Sequence, residues 1–439
     1  MSVKRIDPVD RLIGGVTVPG DKSISHRYAI LGAMAEGETT VVNFSSSADC
    51  HSTLRCLAGL GIGLEGEGSC VRITGPGWRD LQPPASTLDA GNSGTTLRLL
   101  SGVLAGRPFV SRITGDDSLV RRPMRRIIEP LSLMGARIEA RQGEFPPLEI
   151  YGTHLKGVEY KLPVASAQVK SCILLAGLEA TGETTVVESI PSRDHTERAL
   201  PLFGVPVFRD DTGISVKGPC DLTPVTVSVP GDISSAMFWV VAALLLPGSR
   251  VRCQAVGVNP TRAALLELLE ESGALIHREA PRQVGAEPVC DLVVEGDEAF
   301  VDGFPGEIGG GWIPRLIDEI PVLAVLGSRL PHGLYVRDAA ELRKKESDRI
   351  HAVVENLRAV GVPADELEDG FRIPYVPEVG GGLVRTFGDH RIAMAFSVLG
   401  LISREGVELD DADCVAVSYP EFFENLQALS GRAESKSGR

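Results

Sequence analysis

Basic residues stand at the starts of several predicted helices, where they could bind anions. The segments PGDKSISHR (19–27) and GDHRIAM (388–394) each place an acid and bases directly before an apolar, helix-like pattern. The N-terminal end of a helix carries partial positive charge, so Lys and Arg are unfavourable there unless an anion binds. A bound anion would reverse that cost, because backbone N–H groups, the dipole and the side chains would then act together. We interpret the bases in such positions as one dispersed site for phosphate or carboxylate groups. They are Lys22, Arg98, Arg122, Lys345, Arg349 and Arg391.

Acidic and imidazole side chains beside these bases could transfer protons. Asp318 and Glu319 lie between Ile317 and Ile320, and this apolar setting could raise the pKa of a carboxyl group and make it a usable base. A surface acid pair that caps a helix is the alternative. Histidines 26, 195 and 390 each stand beside an Arg, and both acid–base chemistry and structural hydrogen bonding remain open for them. Lys170, in AQVKSCILL, has no role that the sequence indicates.

Composition excludes several functional classes. The chain has 439 residues, 43% of them hydrophobic, and a formal net charge of -14. This length predicts two large domains, and the negative charge argues against a nucleic-acid or membrane-surface binder. The eight cysteines form no CxxC pair, and no two histidines have metal-binding helical spacing, so we expect no zinc site. The N-terminus lacks the apolar segment of a signal peptide, which predicts a cytoplasmic protein, and we favour a monomer.

A repeated unit must position these residues. Six segments read strand, polar loop, helix, glycine, strand, loop, helix, glycine and strand, as in GETTVVN (37–43) and GETTVVE (182–188). Chance recurrence of common turn residues is the alternative. The polar clusters occupy the loops that enter the first helix of each unit. The glycines form two series, at Gly37, Gly106, Gly182, Gly248, Gly333 and Gly406, and at Gly61, Gly135, Gly204, Gly273, Gly361 and Gly431. We place three repeats in a domain of residues 21–228 and three in a discontinuous domain of residues 1–20 plus 229–439.

Taken together, the polar clusters resemble the EPSP synthase (3-phosphoshikimate 1-carboxyvinyltransferase) family of enolpyruvyl transferases. The resemblance runs nearly end to end and implies an α/β (α+β) fold: a two-domain inside-out α/β barrel of six βαβαββ repeats, three per domain. The motifs that carry it are PGDKSISHR, GNSGTTLR, RRPM, SAQVKS, SRDHTER, PGDISSAMF, IDEIPVLA, ELRKKESDR and GDHRIAMAF.

The resemblance also implies a reaction and a set of site residues. The family transfers the enolpyruvyl group of phosphoenolpyruvate to the 5-hydroxyl of shikimate 3-phosphate through a tetrahedral intermediate, so the resemblance implies that no metal or cofactor is needed. By motif, Asp318 would be the base and Glu346 the proton donor, with help from Lys22. The implied phosphoenolpyruvate contacts are Lys22, Gly94, Arg122, Gln168, Arg349 and Arg391. The implied shikimate 3-phosphate contacts are Lys22, Ser23, Arg27, Ser166, Ala167, Gln168, Ser192, Arg193, Asp318 and Lys345.

Two alternatives and two departures accompany this prediction. The related UDP-N-acetylglucosamine enolpyruvyl transferases typically carry a reactive Cys near the second-unit helix start, and GDDSLVRRPM (115–124) has none. A non-catalytic repeat protein that binds anions would have no need of the two carboxylates. Some family members have Asn in place of Glu341 and a Lys in the region of Val417, so neither position receives a role. Because the implied contacts divide between the two halves, we expect substrate to draw the halves together.

Overall fold

A computed structural model describes residues 2–210 and 213–431. The chain forms two compact units. Unit 1 comprises Met1–Pro19, Pro230–Arg282 and Pro288–Arg439, and unit 2 comprises Gly20–Val229 and Gln283–Glu287.

The short segment 283–287 groups with unit 2, although the sequence-based division assigned it to the domain of repeats four to six. Its polar contacts give the reason. His195 Nδ1 lies 2.7 Å from Glu287 Oε1, and Arg198 donates a hydrogen bond to the Ala286 carbonyl at 3.2 Å. The segment is therefore held by the helix of unit 2 that contains His195 and Arg198.

The strands are short and distributed over the whole chain. In order they are β1 (Lys4–Ile6), β2 (Ile13–Thr17), β3 (Glu36–Val42), β4 (Gly63–Glu67), β5 (Cys70–Pro76), β6 (Leu88–Asp89), β7 (Val110–Thr114), β8 (Arg137–Arg141), β9 (Phe145–Tyr151), β10 (Glu159–Lys161), β11 (Gly182–Val187), β12 (Phe208–Asp210), β13 (Gly213–Gly218), β14 (Thr226–Ser228), β15 (Arg250–Gly257), β16 (Ile276–Val284), β17 (Glu287–Glu295), β18 (Glu307–Ile308), β19 (Leu334–Val336), β20 (Asp365–Leu367), β21 (Gly370–Ile373), β22 (Gly382–Val384) and β23 (Val407–Leu409).

Helices alternate with these strands. They are α1 (Lys22–Met34), α2 (Ala48–Gly59), α3 (Gly94–Ala105), α4 (Arg125–Leu133), α5 (Ala167–Gly177), α6 (His195–Leu202), α7 (Ile233–Leu244), α8 (Ala264–Glu271), α9 (Trp312–Leu316), α10 (Ile320–Gly327), α11 (Arg349–Ala359), α12 (His390–Ile402) and α13 (Phe422–Ser430). Short 3-10 helices lie at Trp78–Asp80, Leu119–Arg121, Glu298–Asp302, Ala340–Lys344 and Asp413–Val417. Over residues 2–210 and 213–431, every helix is too short or too polar to cross a membrane.

Unit 2 contains three sheets of the same topology, with strand orders β14-β3-β5-β4, β6-β7-β9-β8 and β10-β11-β13-β12. In each sheet the first two strands are parallel and the remaining neighbours are antiparallel. A parallel pair requires a crossover connection, and α3 and α5 supply it between β6 and β7 and between β10 and β11. This is the predicted βαβαββ repeat.

Unit 1 repeats the pattern, and two strands from the start of the chain, β1 and β2, complete two of its sheets. Its sheets have the orders β16-β17-β15-β2, β18-β19-β21-β20 and β1-β23-β22. Strand β2 supplies the parallel partner of β15, and β1 pairs antiparallel with β23. The six sheets, counted over the described residues, confirm the predicted six repeats. Within residues 2–210 and 213–431 the sheets do not close into a continuous barrel, because each remains a separate sheet of three or four strands.

One helix of each repeat forms the centre of its unit. Helices α1, α3 and α5 of unit 2 and α7, α10 and α12 of unit 1 are buried along almost their whole length. Helices α2, α4, α8 and α11 bury only part of their residues. A helix that is buried on all sides belongs in a core. The predicted polar clusters are the loops that enter these six central helices.

The two glycine series have the predicted conformation, with one exception. All six glycines of the second series have positive φ, as helix ends prefer. In the first series Gly106 has φ of -88°. A Cβ atom at this residue would lie 2.1 Å from Glu179 Oε2, so close approach, rather than a left-handed backbone, requires glycine there.

Candidate active site

Lys22 is held at the start of α1 by an ion pair. Asp21 caps the helix by accepting a hydrogen bond from the Ile24 N–H at 2.9 Å, and Lys22 is the first helical residue. Its Nζ lies 2.8 Å from Asp49 Oδ2 in the first turn of α2, and its side chain is 16% exposed. Sequence reasoning missed Asp49, because an acid at a helix start is usually a cap.

The start of α3 lies beside two guanidinium groups. A Cβ atom on Gly94 would lie 2.7 Å from Arg98 Nη1 and 3.6 Å from Arg122 Nη1. Both arginines are buried, and Arg98 Nη1 donates to Gln168 Oε1 at 2.5 Å. Gln168 is in the first turn of α5. The predicted residues Gly94, Arg122 and Gln168 therefore lie together, with Arg98 among them.

This arrangement suits an anion. Ser93 caps α3 by accepting a hydrogen bond from the Thr96 N–H at 3.1 Å, and the N–H groups of Gly94 and Thr95 precede the first hydrogen bond within the helix. Glycine leaves room for a ligand oxygen between these groups and the two arginines. Arg122 is oriented by Asn92 Oδ1 at 2.9 Å. The sequence identified Arg98 as a helix-start base but assigned it no substrate; its position beside Gly94 shows that it belongs to this cluster.

Arg27, one of the predicted shikimate 3-phosphate contacts, donates hydrogen bonds to two neighbouring helices of unit 2. Its Nε donates to Thr196 Oγ1 at 2.7 Å and its Nη2 to Ser171 Oγ at 2.6 Å. Burial lowers the pKa of Arg27 to about 10, while the charges of Glu197 and Asp21 oppose that shift. The guanidinium group therefore remains charged at neutral pH and joins α1, α5 and α6.

The remaining predicted contacts of unit 2 are half-buried on loops and helix starts. Ser23 is in the first turn of α1, and its carbonyl accepts a hydrogen bond from Arg27 Nη1 at 2.8 Å. Ser166 caps α5, followed by Ala167 and Gln168. Ser192 and Arg193 lie in the loop before α6.

His26 and His195 are hydrogen-bonded inside unit 2. Nδ1 of buried His26 lies 2.6 Å from Thr53 Oγ1, and Thr53 Oγ1 lies 2.7 Å from Thr96 Oγ1. Burial, together with the charges of Lys22 and Arg27, holds the pKa of His26 well below its ordinary value. His26 is therefore neutral at physiological pH, and its contacts favour structural hydrogen bonding over acid–base chemistry. His195 is likewise buried against Glu287.

In unit 1, Arg349 donates hydrogen bonds to two carboxylates at the start of α11. Its Nε donates to Asp389 Oδ2 at 2.8 Å and its Nη2 to Glu346 Oε2 at 2.7 Å. Burial opposes the charged form, but Asp389 and Glu346 outweigh it and raise the pKa of Arg349. Burial likewise opposes the Asp389 carboxylate, while Arg349 lowers its pKa. Asp389 caps α12 by accepting from the Arg391 N–H at 2.9 Å; it belongs to the GDHR motif, but sequence reasoning assigned it no role.

Asp318 lies between two of the predicted phosphoenolpyruvate arginines. Its Oδ1 is 3.5 Å from Arg349 Nη1 and 3.7 Å from Arg391 Nε, and its carbonyl accepts from Arg391 Nη1 at 3.0 Å. The Asp318 side chain is 15% exposed and the neighbouring Glu319 is buried, so this is not a surface acid pair. Glu319 accepts a hydrogen bond from Ser234.

Lys345, Glu341 and Val417 complete the predicted positions in unit 1. Lys345 is half-buried in the segment between the 3-10 helix Ala340–Lys344 and α11, directly before Glu346. Glu341 lies in the same 3-10 helix, and Val417 ends the 3-10 helix Asp413–Val417.

The chain matches a known protein family over nearly its whole length. The family model described as EPSP synthase (3-phosphoshikimate 1-carboxyvinyltransferase) matches residues 6–426. The chain belongs to the EPSP synthase family. It is similar to the 3-phosphoshikimate 1-carboxyvinyltransferase of Solibacter usitatus (strain Ellin6076), at 50% identity over 427 residues that cover 97% of this chain and 99% of that protein. It is also similar to that of Bacillus subtilis (strain 168), at 47% identity over 430 residues, with the same coverage.

Solved structures agree with this family assignment. An EPSP synthase from Acinetobacter baumannii matches with a TM-score of 0.84 at 41% identity, covering 97% of this chain and 98% of that one. The predicted family and fold class are confirmed. The relatives also favour the main functional prediction over a UDP-N-acetylglucosamine enolpyruvyl transferase or a non-catalytic repeat protein.

Proposed function

We propose that this protein transfers the enolpyruvyl group of phosphoenolpyruvate to the 5-hydroxyl of shikimate 3-phosphate, releasing phosphate. The observation that carries the proposal is the placement of two carboxylates beside one buried arginine. Asp318 lies 3.5 Å from Arg349 Nη1, and Glu346 lies 2.7 Å from Nη2 of the same arginine. Each of the two acids can transfer a proton to or from a substrate, while the cation beside them stabilises a bound anion.

The first chemical step is an addition. Asp318 accepts the proton of the 5-hydroxyl group as its oxygen forms a bond to C2 of phosphoenolpyruvate. Glu346, protonated at this stage, donates a proton to C3, which becomes a methyl group. The product is a tetrahedral intermediate in which C2 carries the new ether oxygen, the carboxylate, the methyl group and the phosphate.

The second step is an elimination that reverses the role of Glu346. The Glu346 carboxylate removes a proton from the methyl group, the double bond between C2 and C3 re-forms, and the C2–O bond to phosphate breaks. Phosphate leaves with the electron pair of that bond. The proton that Asp318 accepted is returned to solvent or to the departing phosphate, which balances the cycle.

Fixed positive charges supply the largest share of transition-state stabilisation in this mechanism. We propose that phosphoenolpyruvate is bound by the predicted set together with Arg98, and shikimate 3-phosphate by its own predicted set. Both predicted sets contain residues of each unit. The helix start at Gly94, between Arg98 and Arg122, suits a phosphate or carboxylate group of phosphoenolpyruvate.

We also propose that the protein works as a cytoplasmic monomer and that the reaction uses no metal or cofactor. For the location, the first proposal rests on the eight cysteines, all of them free thiols, as is typical of a reducing compartment. The second rests on the chemistry, because each proton transfer has an assigned carboxylate and each developing negative charge faces an arginine or Lys22.

Phosphate release from phosphoenolpyruvate tests the function. We expect release with shikimate 3-phosphate, and none with UDP-N-acetylglucosamine or without an acceptor. Asp318→Asn and Glu346→Gln should each lower kcat by about 10²- to 10⁴-fold, the usual contribution of a general acid or base. The exposed residues Asp365 and Glu368 of the same unit provide the matched controls Asp365→Asn and Glu368→Gln. Release with the nucleotide sugar, or full turnover by Glu346→Gln, would contradict the proposal.

A further inference from the structure

A fully buried lysine lies behind the proposed shikimate 3-phosphate residues of unit 2. Lys170 is in α5, and its side chain has no exposed surface. Its Nζ lies 2.8 Å from Glu188 Oε2 and 2.7 Å from Glu197 Oε1, and it donates to the Ser192 carbonyl at 3.3 Å. The proposed reaction gives Lys170 no role.

These contacts account for all the hydrogen-bonding capacity of the ammonium group. Lys has three N–H donors, and Lys170 meets three acceptors. An ammonium group buried without such partners is costly, and an apolar side chain of similar length would fill the same volume without that cost. The ion cluster therefore calls for an explanation beyond packing.

The acceptors show what the lysine holds. Glu188 and Ser192 belong to the irregular segment 188–194 that connects β11 to α6, and Glu197 belongs to α6 itself. Ser192 Oγ also donates a hydrogen bond to Glu188 Oε1, and Lys170 contacts both of these residues. Lys170 thus fixes the path of the segment that presents Ser192 and Arg193.

The same helix joins this segment to the other shikimate 3-phosphate residues. Four residues before Lys170, Ser166 caps α5, and the Lys170 N–H donates to the Ser166 carbonyl at 3.0 Å. The next residue, Ser171, contacts Arg27 Nη2 and Thr196 Oγ1, both at 2.6 Å. One turn of α5 therefore sets the positions of the helix start, of Arg27 and of the segment 188–194.

We propose that Lys170 is a positioning residue for shikimate 3-phosphate. Through Glu188, Glu197 and the Ser192 carbonyl it holds the segment 188–194 in the conformation that binds this substrate. The inference rests on the proposed function, because that function assigns Ser192 and Arg193 to shikimate 3-phosphate. It requires no contact between Lys170 and substrate, and it predicts an effect on one substrate only, since no residue of the segment is assigned to phosphoenolpyruvate.

The test is Lys170→Met, with shikimate 3-phosphate binding measured calorimetrically and with steady-state kinetics. We expect the Kd and KM for shikimate 3-phosphate to rise about 10- to 100-fold, the usual effect of a small displacement of binding groups. The KM for phosphoenolpyruvate, measured at saturating shikimate 3-phosphate, and kcat should stay within about threefold. Lys161→Met, at the exposed end of β10 in the same unit, is the matched control and should change none of these values.

Three results would overturn the inference. A lower melting temperature with an unchanged Kd would assign Lys170 to stability alone, and an equal rise in both KM values would indicate general distortion. If Lys170→Met does not fold, the double variant Lys170→Met/Glu188→Gln takes its place, because it also removes one of the two buried carboxylates that have lost their cation. An unchanged Kd in the double variant would likewise overturn the inference. Failure of the proposed function is distinguishable, because the unmodified protein would then neither bind shikimate 3-phosphate nor release phosphate in its presence.

Discussion

Two central helices, α1 in unit 2 and α7 in unit 1, share a capping motif but differ in their first helical residues. Each is preceded by Pro-Gly-Asp, and the Asp caps the helix: Asp21 accepts from the Ile24 N–H and Asp232 from the Ser234 N–H, both at 2.9 Å. The first helical residue is Lys22 in α1 and Ile233 in α7. Lys22 pairs with Asp49, whereas Ile233 is 2% exposed in the core of its unit.

The difference continues along the buried face. His26 and Arg27 of α1 correspond to Met237 and Phe238 of α7, and all four are buried. At the start of α7, Ser234 donates to Glu319 and accepts from Arg262, so its polar groups serve the interior of unit 1. The repeat therefore determines where a capped helix start lies, and the residues after the cap determine whether that start can receive an anion.

Replacing the charged first residue of α1 tests this conclusion most severely. Lys22→Met keeps the Asp21 cap and the length of the side chain but removes the cation. We expect kcat/KM to fall about 10²- to 10³-fold, which corresponds to about 3 to 4 kcal/mol of transition-state stabilisation. Steady-state phosphate release measures the loss, and Lys217→Met, on the exposed side of β13, is the control. If Lys22→Met kept a third of the wild-type activity, the distinction between the two helix starts would not be functional.

The reverse exchange examines whether a lysine alone would make the start of α7 an anion site like the start of α1. Ile233→Lys places an ammonium group in the core of unit 1, and we expect it to lower the free energy of unfolding by about 3 kcal/mol without adding a binding site. Urea denaturation measures the change. Ile13→Lys, on the half-exposed edge strand β2 of the same unit, should cost less than about 0.5 kcal/mol. Equal effects of the two substitutions would show that the start of α7 tolerates charge as a surface does.

Local patterns predicted most of the fold. Helix ends marked by glycine, and β-branched strands after them, depend on residues close in sequence, so the six repeats and the polar helix starts could be recognised from the chain alone. The completion of sheets by β1, β2 and β14 could not, because their partners β23, β15 and β3 lie far away in the chain. The alternation of a strand indicates which face is buried but not which strand it pairs with.

The candidate site shows the same limit at the level of side chains. Its bases could be recognised because they are unfavourable at helix starts, whereas Asp49 and Asp389 resemble ordinary caps. Their contacts with Lys22 and Arg349 bring together separate helices, and no local pattern encodes such a pair. The sequence placed Arg98 among these bases, but its hydrogen bond to Gln168 of α5, which joins it to the predicted phosphoenolpyruvate residues, needed the structure.

The smallest expected effect concerns the pair His26 and Met237. Folding keeps the pKa of His26 well below its ordinary value of about 6.5, so the unfolded chain binds the proton first as the pH falls. The stability contributed by neutral His26 is thus complete above about pH 6.5 and is lost below it, by about 1 kcal/mol between pH 7.5 and 5.5. His26→Met, which introduces the residue found in α7, should remove this part of the pH dependence. Urea denaturation at the two pH values measures it, with His51→Gln, an exposed position on α2, as the control. Parallel stability profiles for wild type and His26→Met would mean that the buried imidazole of α1 is energetically equivalent to the methionine of α7.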